Sequence, residues 1–218
     1  MAEKYEAIPG ARELIGSHVA PAMLEAVHLD KDTTTVLDFG CGIGLLSREL
    51  ESHVKSIVGV DISKVSVDVY NRLASEAGAA DKMRAVALDL QSAPDELEGK
   101  KFDVVTCSMV YHHIHSPESH TKTLVQYLKP NGKLIISSLM HRENFDQSKY
   151  PDMMRVAAPN MQGFKEDAIR KMFEDAGLRE VKYRKVWGGL APAPPTMSIP
   201  DEERMIEVFV AEGTKAAV

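Results

Sequence analysis

The chain has 218 residues, 44% of them hydrophobic and 27% charged, which suits one soluble α/β domain with a sizeable core. A formal charge of −6 and a pI of about 5.8 argue against a large nucleic-acid-binding surface, because such surfaces need clustered Lys and Arg to displace counterions. The first twenty residues carry Glu3, Lys4, Glu6, Arg12 and Glu13 without a long apolar run, and no later stretch approaches the roughly 18 apolar residues of a membrane span, so neither a secretory leader nor a span is expected.

Residues 11–28 place Leu14, Ile15, Val19, Met23, Leu24 and Val27 at helical spacing, with Pro21 as a candidate kink. Residues 1–32 read as a helical cap on a single domain that continues over 33–218. Short β-rich runs then recur at 35–39, 56–60, 84–88, 102–108 and 133–139, separated by helical patterns near 43–53, 64–77, 117–128 and 165–176. This alternation predicts a Rossmann-like, doubly wound α/β fold with a parallel sheet and right-handed crossovers. Lys129-Pro130-Asn131-Gly132 reads as a turn before the fifth strand, and Gly177 as the end of the last helix. Residues 180–187 and 205–211 both read as strands with no helix between them, so they are expected to pair antiparallel. The Pro-rich stretch 188–200 joins them. The two cysteines, Cys41 in the first strand–helix turn and Cys107 at the end of an apolar run, read as reduced thiols, which fits a cytoplasmic location.

The first strand ends in Asp38-Phe39-Gly40-Cys41-Gly42-Ile43-Gly44. A strand that turns this tightly into a helix needs residues without a Cβ where the backbone approaches a ligand, and the helix start offers free N–H groups. A dinucleotide fingerprint would need a third glycine where Leu45 stands, and a carboxylate at Asp38 would repel a pyrophosphate while attracting an ammonium group. Asp61 closes the second strand, where a carboxylate can accept from both hydroxyls of a ribose. Asp89-Leu90 closes the third in the same way. The fourth runs from Phe102-Asp103 to Ser108 and on into Val110-Tyr111-His112-His113-Ile114.

This D-x-G-x-G-x-G turn, with the strand ends that follow it, resembles the class I S-adenosylmethionine (SAM)-dependent methyltransferases over roughly residues 33–212. The resemblance implies a seven-stranded sheet closed by an antiparallel C-terminal strand. It implies that Gly40, Cys41, Gly42 and Gly44 lie against the methionine part of SAM, with Asp38 helping to hold its amino group. Asp61 would bind the ribose and Ile62 pack on the adenine. Asp89 would accept from the adenine amino group, the Leu90 backbone N–H would face the ring, and Ser108 would lie beside the methionine.

Methyl transfer from a sulfonium is an in-line displacement, so the protein aligns the nucleophile, excludes water and removes a proton where one is present. His112, His113 and His141 are the candidate bases or substrate contacts, because imidazole titrates near neutrality; the alternative for each is a loop histidine. His115 and His120 lie nearby, but the spacing matches no metal-ligand motif and no metal is expected. The stretch 140–164 is long for a strand–helix connection and carries Met140, Phe145, Tyr150, Met153, Met154, Met161 and Phe164. It reads either as an adaptable apolar pocket wall or as a small extra helix. Tyr5 matches an aromatic that closes over SAM in some relatives of the family.

The segment Ser108-Met109-Val110-Tyr111 lacks the proline pair of amino-methylating nucleic-acid enzymes, and Glu118 alone cannot supply the two glutamates of arginine methyltransferases. The expected activity is therefore methyl transfer from SAM to an O, N or S atom of a small-molecule acceptor, releasing S-adenosylhomocysteine, by a monomer or homodimer. The alternative is a non-catalytic SAM-fold scaffold or regulatory subunit. A nicotinamide-dependent oxidoreductase is disfavoured by Leu45 and Asp38.

Overall fold

The structure, a computed structural model, describes residues 10–92, 97, 99–190 and 204–217. Seven strands form one sheet: β1 (Thr35–Phe39), β2 (Ser56–Asp61), β3 (Met83–Ala87), β4 (Phe102–Ser108), β5 (Leu128–Leu139), β6 (Leu178–Leu190) and β7 (Met205–Lys215). Their order is β3-β2-β1-β4-β5-β7-β6. The first five pair in parallel, and β7 enters antiparallel between β5 and β6. This is the architecture expected, including the closing strand.

Helices cover both faces. Strand residues alternate between two cores, so Leu37, Val105, Leu134 and Ile136 face one side while Val36, Val104 and Ile135 face the other. On the first side lie α5 (Pro117–Gln126) and α7 (Glu166–Asp175), through Leu124, Ile169 and Phe173. The second side takes α1 (Ala11–Leu14), α2 (Ala20–Ala26), α3 (Leu45–Leu50) and α4 (Lys64–Glu76), through Met23, Leu46 and Tyr70. A parallel sheet buried on both faces explains why its strands read as near-continuous apolar runs.

Two elements depart from the sequence reading, and a third follows one of its two alternatives. The N-terminal helix is interrupted by a π-helical turn, Ile15–Val19, immediately before Pro21. A proline ring clashes with the carbonyl four residues back, and the wider turn accommodates it without ending the helix. The expected turn at Lys129–Gly132 instead lies inside β5, where the pairing with β4 slips between Phe102 and Val104 and Asn131 takes a φ of 60°. Proline and Asn-Gly here make a bulge in a strand whose pairing continues on either side. In the 140–164 connection a short helix, α6 (Asp152–Ala157), forms. Residues 188–190 belong to β6, while the rest of the Pro-rich stretch and Tyr5 lie outside the described residues.

Candidate active site at the carboxyl ends of the strands

The glycine turn is held by backbone contacts. Gly40, Gly42 and Gly44 take φ values of 67°, 52° and 83°, the left-handed region that glycine enters at no steric cost. The Gly40 and Cys41 N–H groups both donate to the Val60 carbonyl, at 2.8 and 3.1 Å, which ties the turn to β2. A Cβ on Gly40 would sit 2.4 Å from Val110 Cγ2, and one on Gly44 would sit 2.7 Å from the Tyr70 ring. At Gly42 a Cβ would meet nothing within 4 Å, so this residue borders open space. The Cys41 side chain packs inward against Gly59 of β2, leaving only its backbone to the turn.

Asp61 stands beside that opening. Its carboxylate accepts the Gly42 N–H at 2.9 Å and the Ser63 N–H at 2.8 Å, using one oxygen for each. A carboxylate oxygen has a further lone pair, so the group can still accept from a ligand hydroxyl. Ser63 caps α4 and so fixes this strand end. Next to it Ile62 is 81% exposed. Asp89 is also exposed and closes a local turn by accepting the Gln91 N–H at 2.9 Å, while the Leu90 side chain is buried in the core. Across the sheet Ser108 shares a 2.9 Å hydroxyl contact with Ser137.

Asp38 lies beneath the turn rather than on its open side. It is 2% exposed, and its two oxygens take the Ser47 hydroxyl at 2.6 Å and the Thr106 hydroxyl at 3.0 Å. Burial raises its pKa to about 6 against the lowering pull of those two hydroxyls. In this position Asp38 braces β1, α3 and β4 together beneath the turn. Ser47 and Thr106 escaped the sequence reading because a hydroxyl in an apolar run signals nothing until its partner is in view.

The chain leaves β4 through Met109, whose φ of 56° is unusual for a residue with a side chain, and enters a short turn at Tyr111–His113. The Tyr111 hydroxyl meets Thr121 at 2.8 Å in the core. His112 Nδ1 lies 3.3 Å from the Ser138 hydroxyl, and its ring centroid is 4.1 Å from that of His113. Burial and the neighbouring imidazole push the pKa of His112 down to about 3, so it is neutral at physiological pH. The His113 Nδ1 lies 2.8 Å from the Ala157 carbonyl. A carbonyl only accepts, so Nδ1 carries the proton. His141 sits at the base of the 140–164 connection, its backbone N–H donating to the Phe164 carbonyl at 2.9 Å. Thus His112 and His113 share one turn, while His141 follows the neighbouring strand β5.

The large apolar side chains left exposed among the described residues are Ile62, Val65, Met153, Val156, Leu190 and Met205. All belong to this one end of the molecule: two follow β2, two lie on α6, and two end the β6–β7 hairpin beyond the β5 terminus. No group of three or more His, Cys, Asp or Glu placed to hold a metal occurs among the described residues.

A family model described as a methyltransferase domain matches residues 12–183. An uncharacterised methyltransferase of Schizosaccharomyces pombe is 37% identical over 155 residues, covering 68% of this chain and 54% of that protein. A ubiquinone biosynthesis O-methyltransferase of Idiomarina loihiensis is 34% identical over 104 residues, covering 48% of this chain and 42% of that one. The chain thus spans about half the length of these curated relatives. Among solved structures, the YcgJ protein of Bacillus subtilis superposes with a TM-score of 0.69 at 18% identity, covering 90% of this chain and 97% of that one. Phosphoethanolamine N-methyltransferase 2 of Haemonchus contortus, solved with S-adenosyl-L-methionine, gives 0.68 at 16%, covering 91% and 52%. The fold, the glycine turn and the family match agree, and the chain belongs to the methyltransferase-domain family, with the fold of the class I SAM-dependent methyltransferases.

Proposed function

We propose that this chain transfers a methyl group from SAM to an O, N or S atom of a small-molecule acceptor. The observation that carries the reading is the glycine turn, whose Gly42 opens onto free space beside the Asp61 carboxylate at the next strand end. A side chain at position 42 would project into that space, so the cradle fits a ligand that must come close to the backbone. In this reading Gly40, Cys41, Gly42 and Gly44 hold the methionine part, Asp61 accepts from the ribose, exposed Ile62 covers a face of the adenine, and Asp89 and Leu90 border its edge. Ser108 lies on the methionine side. Asp38 acts by holding the turn in shape.

When bound, SAM supplies an electrophilic methyl on a sulfonium and leaves as S-adenosylhomocysteine. The chain's own task is then to exclude water and align the acceptor above the ends of β4 and β5. His112, neutral and with a pKa near 3, is a weak base at pH 7 and serves better as a hydrogen-bond partner than as a proton remover. That favours acceptors needing little base: a thiol or acidic hydroxyl that ionises unaided, or an uncharged amine. The apolar side chains around the opening favour an acceptor with an apolar body. Residues 1–32 are read as a cap on the same domain, supported by α1 and α2 packing on the α3 side. No helix among the described residues is long and apolar enough to cross a membrane. The free, buried thiols of Cys41 and Cys107 support a cytoplasmic location, and we take the chain to act as a monomer or homodimer.

The test is calorimetric titration with SAM, with S-adenosylhomocysteine, and with NADH as a control. Saturable binding of both sulfur nucleosides but not of NADH is the expected result; failure of both to bind would overturn the cofactor reading. Binding followed by no transfer of labelled methyl to any acceptor in a screen would favour a scaffold role instead.

A further inference from the structure

The 140–164 connection is closed at its base. Met140 and Phe164 form an isolated parallel bridge, and Arg142 donates its backbone N–H to Gln162 at 2.9 Å. Its far side is fastened to a different part of the chain. The Asn160 N–H donates to the His112 carbonyl at 3.1 Å, and the Asn160 Nδ2 donates to the Ile114 carbonyl at 2.6 Å. The His113 Nδ1 donates to the Ala157 carbonyl at 2.8 Å. Three hydrogen bonds therefore join residues 112–114 to residues 157–160. Asparagine is suited to this place because its amide reaches one carbonyl while its backbone serves another two residues away. An aspartate would set a lone pair against the Ile114 carbonyl, and an alanine would leave that carbonyl without its donor.

We propose that Asn160 is a positioning residue: it locks the turn carrying His112 to the 140–164 connection, so that the imidazole and the outward apolar side chains Met153 and Val156 meet the acceptor as one rigid body. The proposal rests on the reading that the acceptor binds above β4 and β5. These hydrogen bonds of Asn160 go to residues 112 and 114 and none to the cofactor cradle, so the two halves of the site are separable by mutation.

The experiment compares the full chain with Asn160→Ala and Asn160→Asp, and with Gln162→Ala as a control on the same connection that keeps all three bonds. Amide hydrogen exchange is followed at 111–114 and 157–160, the His112 imidazole is titrated by NMR, and SAM binding is measured by calorimetry. In both Asn160 variants exchange at those two segments is expected to rise about tenfold or more, the order of one lost buried hydrogen bond. His112 should gain water and titrate closer to an ordinary imidazole, while SAM affinity stays within about twofold of the parent because no cradle contact changes. Gln162→Ala should match the parent in all three. Unchanged exchange and an unchanged His112 titration would overturn the proposal. So would a loss of SAM binding alongside the rise in exchange, since Asn160 would then support the whole fold. A parent chain that binds no SAM would instead refute the cofactor reading and leave the exchange and titration results to judge Asn160 on their own.

Discussion

The two halves of the candidate site are built by different means. The cofactor half, at the ends of β1, β2 and β3, is fixed mainly by backbone: positive-φ glycines, paired N–H groups on one carbonyl, and a carboxylate bridging two amides. The proposed acceptor half, at the ends of β4 and β5, hangs on a few side-chain bonds to distant carbonyls and leaves Met153 and Val156 in solvent. A backbone-built cradle tolerates almost no change and suits a ligand that never varies. Side-chain fastenings can be exchanged singly, which suits the half that must choose an acceptor.

The largest test of that contrast lies, unexpectedly, at the base of the acceptor half. A Cβ on Gly163 would fall 2.2 Å from the Met140 carbonyl oxygen at a φ of 83°, and backbone cannot step aside as a side chain can. Gly163→Ala should cost about 3 kcal/mol or more, the sum of a strained φ and overpacking, and no second mutation should restore it in chemical denaturation. Gly40→Ala should cost about 2–4 kcal/mol on the same grounds. There the nearest atom belongs to Val110, so Val110→Ala in the same chain should return part of the loss as a measurable coupling in a double-mutant cycle. Equal losses with and without Val110→Ala would show that φ alone sets the cost.

A smaller effect is expected at Asp61. Asp61→Asn puts an amide where two N–H groups donate and should weaken SAM binding by about 1.5–3 kcal/mol, the scale of a hydrogen bond to a charged group. Unchanged affinity by calorimetry would remove Asp61 from the cradle.

A last test separates the halves by pH. His112 falls from an ordinary 6.5 to about 3 in the folded chain, so between those values the unfolded chain binds the extra proton and stability drops as pH falls. Asp38 rises from 3.8 to about 6, so the folded chain holds the extra proton there and stability drops as pH rises through that range. The two slopes oppose each other between pH 3.8 and about 6. His112→Gln should remove the first and Asp38→Asn the second, seen as opposite changes in the pH dependence of unfolding. Parallel changes would show that another group governs the acid limb.

Much of the cofactor half was legible in the sequence because its signals are local. Glycines at alternate positions and carboxylates at strand ends state their geometry within a few residues. Strands β1 and β4 occupy the residues that the apolar runs marked out. Local signals misled where pairing overrode them: the proline and Asn-Gly before β5 became a bulge inside it. The brace under the turn and the fastening at Asn160 were illegible for the opposite reason. Asp38 gains its bracing role from Ser47 and from Thr106, 68 residues on, and Asn160 from carbonyls 46 to 48 residues away. No spacing rule reaches that far.

The position of β7 sets an order of assembly. It follows β6 in sequence, yet it lies between β5 and β6 and buries Val208, Phe209, Val210 and Ala211. During synthesis β1 to β5 can pair as they emerge, whereas β6 has no neighbour until β7 follows it. Until then β5 presents an open apolar edge, the kind of template on which nascent chains aggregate. A ribosome stalled before residue 205, or a protease cutting there, would leave the cofactor cradle on a sheet that cannot close.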